Sequence, residues 1–454
     1  MSPDLTQPLT QDDLLALDRR HIWHPFTQAE TAPPALLVSR AKGAILTLAD
    51  GRNVVDLISS WWVTLHGHAE PSIARAIAEQ ANTLEQLIFA DFSHEPAIRL
   101  AARLAGLLPA GLTRVFFSDD GSTAVEVALK IAWQSWRNRG EPQRTNVLAF
   151  EGGYHGDTLG AMSAGQGSGF YEPFRSLLAP VTVLPYPATW IGDDEVEAKE
   201  AASLSALDRW LETHGAETAA LIVEPLVQGA GGMRMCRPSF LGAVASRLKD
   251  AGILLIFDEV MTGFGRTGSL FACQQAGVTP DIICLSKGLT GGFLPLSATI
   301  CREELYEAFL AGSFDRAFAH GHSFTANPLG CAAALASLDL LETPECAARR
   351  AAIAARHHSW LATLAGHPRL IHPRSLGTIV AVDLACDNAG YTSAVAPRLK
   401  RFFLDRNLLI RPLGPVIYLL PPYCIEDELL DLAYQAIGDA CQAGADFAAV
   451  ADWT

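Results

Sequence analysis

Residues 253–292 read ILLIFDEVMTGFGRTGSLFACQQAGVTPDIICLSKGLTGG, and the two apolar runs inside this stretch decide the fold. ILLIFD and DIICLS are hydrophobic without alternation and are followed by glycine-rich polar sequence. Strands of that kind are buried on both faces, as in a parallel sheet covered by helices. The same pattern recurs upstream as TRVFFS at 113–118, NVLAFE at 146–151 and ALIVEP at 220–225. Helical patterns lie between them; 123–136 sets Val125, Leu129, Ala132, Trp133 and Trp136 on one face. An α/β chain with a mostly parallel central sheet flanked by helices is expected. Sheets of this class present their chemistry at the carboxyl ends of the strands. Here those ends run into SDDGST, EGGYHGDT, EPLVQGAGG, DEVMTGFGRTG and SKGLTGG.

Lys287 stands just beyond DIICLS. Buried there, its amine loses the hydration that favours its charged form, and the neutral amine can condense with an aldehyde. Read alone, a lysine at a strand end is more often a surface residue. Asp258, which closes ILLIFD, changes that reading. A carboxylate ending an apolar strand is costly unless a cation meets it. The protonated ring nitrogen of a pyridoxal-type cofactor is such a cation. Gly121 and Ser122 open the helical stretch, where backbone N–H groups and a hydroxyl make an anion site. Thr123-x-x-Glu126 also reads as ordinary helix capping, which is compatible with phosphate binding. Tyr154 follows a strand and could stack on a flat ring, although a core tyrosine is an equally good reading.

The 454 residues suffice for two domains, and the net charge of −15 disfavours nucleic acid and anionic membrane as partners. Nine scattered cysteines without C-x-x-C, and an N-terminus (MSPDLTQPLTQDDLLAL) lacking a signal layout, point to a cytoplasmic enzyme. No apolar run reaches the ~20 residues of a membrane span. Gly263-Phe-Gly-Arg-Thr-Gly268 fits a dinucleotide fingerprint but does not join a strand directly to a helix. His21/His24, His66/His68 and His320/His322 are paired without H-E-x-x-H or a cysteine cluster, so no metal is expected. After residue 330 the sequence becomes Ala-, Leu- and Arg-rich, with short strands around 377–383 and 408–420. Residues 1–55 and 331–454 are read as one smaller α+β domain, and 56–330 as the large one.

Taken together these residues resemble the class III (ω-type) aminotransferases of pyridoxal 5'-phosphate (PLP) fold type I. The run LLIFDEVMTGFGRTG…PDIICLSKGLTGG carries the class signature, with GS at 121–122 and YHGDT at 154–158. The resemblance implies that Lys287, Asp258 and Tyr154 are catalytic. It implies further that Gly121, Ser122, Tyr154, Asp258, Lys287, His322 and Ser323 bind PLP, the last pair of these in sequence, His322 and Ser323, across a homodimer interface. HIWHPFTQ at 21–28, SSWW at 59–62, VQGAGGMRM at 227–235 and RPLGPVIYLLPPY at 411–423 are similar to a narrower branch. Its members aminate 8-amino-7-oxononanoate on the way to biotin, with S-adenosylmethionine as donor. That branch implies a substrate site of Trp61, Phe26, Tyr154, Gly321, Arg411 and Tyr418, with Arg266 near the mouth. Arg411 would hold the substrate carboxylate.

Three positions depart from the family pattern. Phe26 replaces a tyrosine and removes a hydroxyl, which leaves lysine open as an alternative donor. GHSF at 321–324 replaces GPTF. Ala230 stands where relatives with ornithine-like donors carry a glutamate that neutralises the arginine. Two other readings remain: an ω-amino acid or diamine aminotransferase using pyruvate, and a PLP aminomutase.

Overall fold

Seven strands build the central sheet of the computed structural model, which describes residues 8–166, 171–386 and 395–449; the first seven residues of the polar N-terminal stretch lie outside the described residues. In chain order the strands are Leu112–Ser118 (β1), Asn146–Phe150 (β2), Thr182–Leu184 (β3), Thr218–Val223 (β4), Leu254–Asp258 (β5), Ile282–Leu285 (β6) and Ser297–Arg302 (β7). Their spatial order is β1-β7-β6-β5-β4-β2-β3. From β6 to β3 every pairing is parallel. β7 is antiparallel to both β6 and β1, so the sheet is mixed at that side. Every residue of β4, β5 and β6 is buried, as unbroken apolar runs require.

The helix Gly121–Asn138 crosses the sheet with Val125, Leu129, Ala132 and Trp136 buried. It is tied down at Ala124, whose carbonyl accepts the Thr299 hydroxyl at 2.8 Å. Its cap differs from the expected box. Asp120 accepts from the Thr123 amide at 2.9 Å, one turn earlier than a box starting at Thr123. Glu126 is thereby released to accept the amides of Gly160 (2.6 Å) and Ala161 (3.1 Å). The carboxylate therefore ties this helix to the segment that follows Tyr154.

Both ends of the chain meet in a second layer. Strands Val38–Lys42, Ile45–Leu48 and Asn53–Asp56 form a sheet that Leu408–Leu409 joins in parallel beside Val55 and Asp56. Leu370–Leu376, Ile379–Leu384 and Val416–Leu419 form an antiparallel sheet of three. One core cluster draws on Ala44, Val55 and Leu57 together with Ile353, Phe403, Leu419 and Ile437.

Between these layers runs the turn 59–62. Ser59, Ser60 and Trp62 have φ of 52°, 61° and 67°, a conformation that costs L-residues energy. Asp56 holds it, accepting from the amides of Ile58 at 3.1 Å and Ser60 at 2.6 Å. The Ser59 hydroxyl donates to the Leu420 carbonyl at 2.8 Å.

Candidate active site

A cavity of about 730 Å³ opens at the carboxyl edge of the central sheet. Residues following β1, β2, β4, β5 and β6 all line it: Gly121, Tyr154, Glu224, Val260 and Lys287. Asp258, the last residue of β5, is 4% exposed. Its Oδ2 lies 2.7 Å from His155 Nδ1, and its Oδ1 accepts the Val260 amide at 3.1 Å. The His155 imidazole is fully buried, which alone would disfavour its charge. The hydrogen bond and the negative charge of Asp258, aided by Glu224, outweigh that and hold its pKa above the ordinary value.

Lys287 has the opposite balance. Burial pushes its amine below the usual lysine range, and the charges of Asp258 and Glu224 restore part of it. Its Nζ lies 4.8 Å from the Trp62 ring centroid, so the indole face meets any charge the amine carries. Trp62 is itself oriented by Nε1–H donation to the Tyr418 hydroxyl at 3.0 Å. Glu224 is buried and pushed up to about 7 by desolvation; both its oxygens are used, by the amides of Tyr154 (3.0 Å) and Gly229 (2.8 Å).

Part of the cavity wall is apolar and aromatic. Phe26, Trp61 and Tyr418 line it, with Phe26 and Trp61 rings 5.6 Å apart. Arg411 lines the same wall, its guanidinium 4.7 Å from the Trp61 ring centroid, and among the described residues no carboxylate pairs with it. Ala230, the residue that stands in place of a glutamate, also lines the cavity.

The structure therefore brings Lys287, Asp258, Tyr154, Gly121, Ser122, Trp61, Phe26, Arg411 and Tyr418 to one cavity. Arg266 lies away from the cavity mouth that the resemblance implies for it. It is 1% exposed and does not line the cavity; its guanidinium donates to the carbonyls of Pro421 at 2.8 Å and Thr64 at 3.4 Å. Gly321, His322 and Ser323 do not line the cavity of their own chain either. His322 Nδ1 lies 3.2 Å from Asp119 at the cavity rim, and Gln86 donates to the Ser323 carbonyl at 2.6 Å. His155, Glu224 and Trp62 carry chemistry that the sequence reading did not assign. Glu224 was within reach, since a carboxylate closing the apolar run ALIVEP poses the same question as Asp258.

The residues suit PLP. A Cβ on Gly156 would stand 2.3 Å from Ser122 Oγ, so the backbone packs closely on the start of the helix, and Gly121, Ser122 and Gly156 together form a cradle lining the cavity there. A depressed lysine amine, a buried carboxylate and this cradle are the donor set that an aldehyde, a ring nitrogen and a phosphate require. Among the described residues no group of three or more His, Cys, Asp or Glu converges to hold a metal, and no helix is long and apolar enough to cross a membrane.

Comparison with known proteins gives a consistent picture. The pattern of the family Aminotransferase class-III matches residues 26–441. An adenosylmethionine-8-amino-7-oxononanoate aminotransferase from Synechococcus elongatus is 58% identical over 419 residues, 92% of this chain and 98% of that protein. The crystal structure of the enzyme of the same name from Methanocaldococcus jannaschii has a TM-score of 0.88 at 33% identity, covering 95% of this chain and 99% of its own. An amine transaminase from an uncultivated Pseudomonas species, solved in its PLP-bound form, has a TM-score of 0.86 at 32% identity, covering 93% and 98%.

Proposed function

The chain belongs to the class III aminotransferases, enzymes that work through PLP, and on that premise we propose that it aminates 8-amino-7-oxononanoate to 7,8-diaminononanoate, a step of biotin synthesis, with S-adenosylmethionine as donor. The observation that carries this reading is one cavity lined by Lys287 and Asp258 and by Arg411 among aromatic rings.

When bound, PLP supplies a carbonyl carbon for amines and a ring that accepts the electron pair left by loss of a substrate Cα proton. Lys287 Nζ is the amine that holds it. That amine, when free, has the depressed pKa needed to take the substrate Cα proton and would deliver it to the former aldehyde carbon of the cofactor. Asp258 would keep a proton on the ring nitrogen, and His155 fixes the Asp258 carboxylate through its 2.7 Å contact. The amides at Gly121 and Ser122, with the Ser122 hydroxyl, bind the phosphate at the positive end of an 18-residue helix. Tyr154, its hydroxyl held by Asp157 at 3.0 Å, would cover the ring face and border the substrate. Arg411 takes the carboxylate of donor and acceptor in turn, and Phe26, Trp61 and Tyr418 exclude water from the acceptor's alkyl chain.

The working unit in this reading is a cytoplasmic homodimer in which Gly321, His322 and Ser323 serve the partner's site. Exposed Ile88, Phe92 and Phe324, on segments joined through Gln86, support a self-association surface there. We also propose the division into residues 56–330 and a smaller unit from 1–55 and 331–454.

A half-reaction tests the proposal. The yellow enzyme is mixed with S-adenosylmethionine or with lysine, the visible band is followed, and 8-amino-7-oxononanoate is then added. Loss of the band with S-adenosylmethionine and its return with the acceptor are expected. A band unaffected by either donor, or not restored by the acceptor, would refute the assignment.

A further inference from the structure

The hairpin between Val227–Gln228 and Arg234–Met235 carries Ala230 into the cavity wall and is gripped from three directions. Gly231 presses on the Gly152 backbone so closely that a Cβ would stand 2.3 Å from the Gly152 carbonyl oxygen. At Gly229 a Cβ would meet Met261 Cε at 3.0 Å and the Trp62 ring at 3.1 Å, both of which line the same cavity. The third grip is Arg374, from the strand Leu370–Leu376 at the far end of the chain.

Arg374 is 5% exposed and all three of its guanidinium nitrogens are hydrogen-bonded. Nε donates to the Met233 carbonyl at 2.8 Å and Nη2 to the Gly232 carbonyl at 2.7 Å. Nη2 also reaches Asp383 at 2.8 Å, and Nη1 donates to the His372 carbonyl at 2.7 Å. The two hairpin carbonyls belong to residues with φ of 104° and 51°, and the second is a methionine in the left-handed region. Inside the tip the amides of Gly232 and Met233 both turn to the Gly229 carbonyl, at 3.1 and 3.0 Å. The outward carbonyls that this strained turn creates are the ones that the guanidinium collects. A strained conformation persists where its surroundings over-determine it, and such places cluster at functional sites.

We propose that Arg374 is a positioning residue of the substrate site, fixing the Ala230 wall so that the apolar chain of the acceptor meets a preformed surface. The inference deepens the function proposed above and rests on it. The hairpin's other end is anchored separately: the Gly229 amide shares Glu224 with the Tyr154 amide. Loosening the Arg374 end therefore acts first on the Ala230 wall, while the Glu224 anchor beside Tyr154 is retained. Lysine cannot replace the arginine here, because a point donor does not span two carbonyls and a carboxylate.

The test uses holoenzyme and nonanoate, a nine-carbon carboxylate, as probe of the substrate wall. Calorimetric Kd and the visible cofactor band are recorded for wild type, Arg374→Gln and Arg374→Lys. The expected result is a Kd weakened about tenfold in both variants, as loss of a preorganised surface implies, with the band and the PLP titration unchanged. A wild-type Kd in the variants, with or without a lowered melting temperature, overturns the inference. So does a band lost in parallel with binding, which would make the arginine a support of the whole site. If Arg374→Gln does not fold, Arg374→Lys decides. Failure of the wild type to bind nonanoate strikes instead at the proposed function, and the inference falls with it.

Discussion

Replacing His155 with leucine takes away the imidazole that faces Asp258 at 2.7 Å and leaves the carboxylate with the Val260 amide at 3.1 Å. Both partners are nearly devoid of solvent, so water cannot replace the lost contact. Breaking a buried charged pair by removing one partner typically costs about 3–5 kcal/mol, because the remaining charge is uncompensated. In the enzyme loaded with PLP, the ring nitrogen's proton is a second compensating charge in the proposed arrangement. There the loss should shrink toward that of a charge-assisted hydrogen bond, about 1.5–3 kcal/mol. His155→Leu is therefore expected to destabilise the apoenzyme more than the holoenzyme, read as urea midpoints of both forms. The pH dependence has a definite sign. The folded protein raises the His155 pKa, so it binds that proton more tightly than the unfolded chain does. The pair's contribution is complete below about pH 6.5, the ordinary histidine value, and is lost as pH rises through the folded value. In the apoenzyme the gap between wild type and variant should be widest in mildly acid solution. Equal destabilisation of apo and holo forms would refute the reasoning, since it would mean that nothing on the cofactor meets Asp258.

Lys287→Ala should abolish turnover and the visible band, and PLP should then be separable by gel filtration; a retained band would place the covalent link elsewhere. Arg411→Leu should raise KM for the acceptor roughly 10- to 100-fold, the value of one charge-assisted bond, in steady-state assays. A primary alkylamine donor without a carboxylate should react with Arg411→Leu at the wild-type rate. Gly156→Ala places a Cβ 2.3 Å from Ser122 Oγ and 2.7 Å from Ser122 Cα, at a φ of 122°, so its PLP affinity by fluorescence titration should fall at least about tenfold.

The sequence announced the parts of this fold that burial alone dictates. All five apolar runs are strands and the residues that follow them line the cavity, but β1, at the sheet edge, is exposed at Thr113 and Arg114 and only half-buried at Val115 and Phe116. β3, three residues long, is too short for a pattern, and β7, SATICR, hides its burial behind small and hydroxylated residues. The Thr299 hydroxyl is paid for locally by the Ala124 carbonyl, a contact 175 residues distant in sequence. Direction within the sheet is likewise absent from composition, so the antiparallel course of β7 needed the structure. Lys287 and Asp258 were legible because a charge at the end of an apolar strand demands a partner. That the nearest protein partner is His155, 103 residues away, is tertiary information. Arg266 was misplaced for the same reason: the carbonyls that bury it come from Thr64 and Pro421, 202 and 155 residues off.

The turn that presents Trp61 and Trp62 is fastened to Leu420, 361 residues later, and the Trp62 indole leans on Tyr418, 356 residues later. A nascent chain leaving the ribosome can assemble the central sheet well before those anchors exist, yet the strained residues 59–62 must wait for nearly the whole polypeptide. Contacts of such sequence separation are slow to close. Competence to act on substrate should consequently lag behind the appearance of the sheet during synthesis, and a chain cut short before residue 418 would be folded in part and inert.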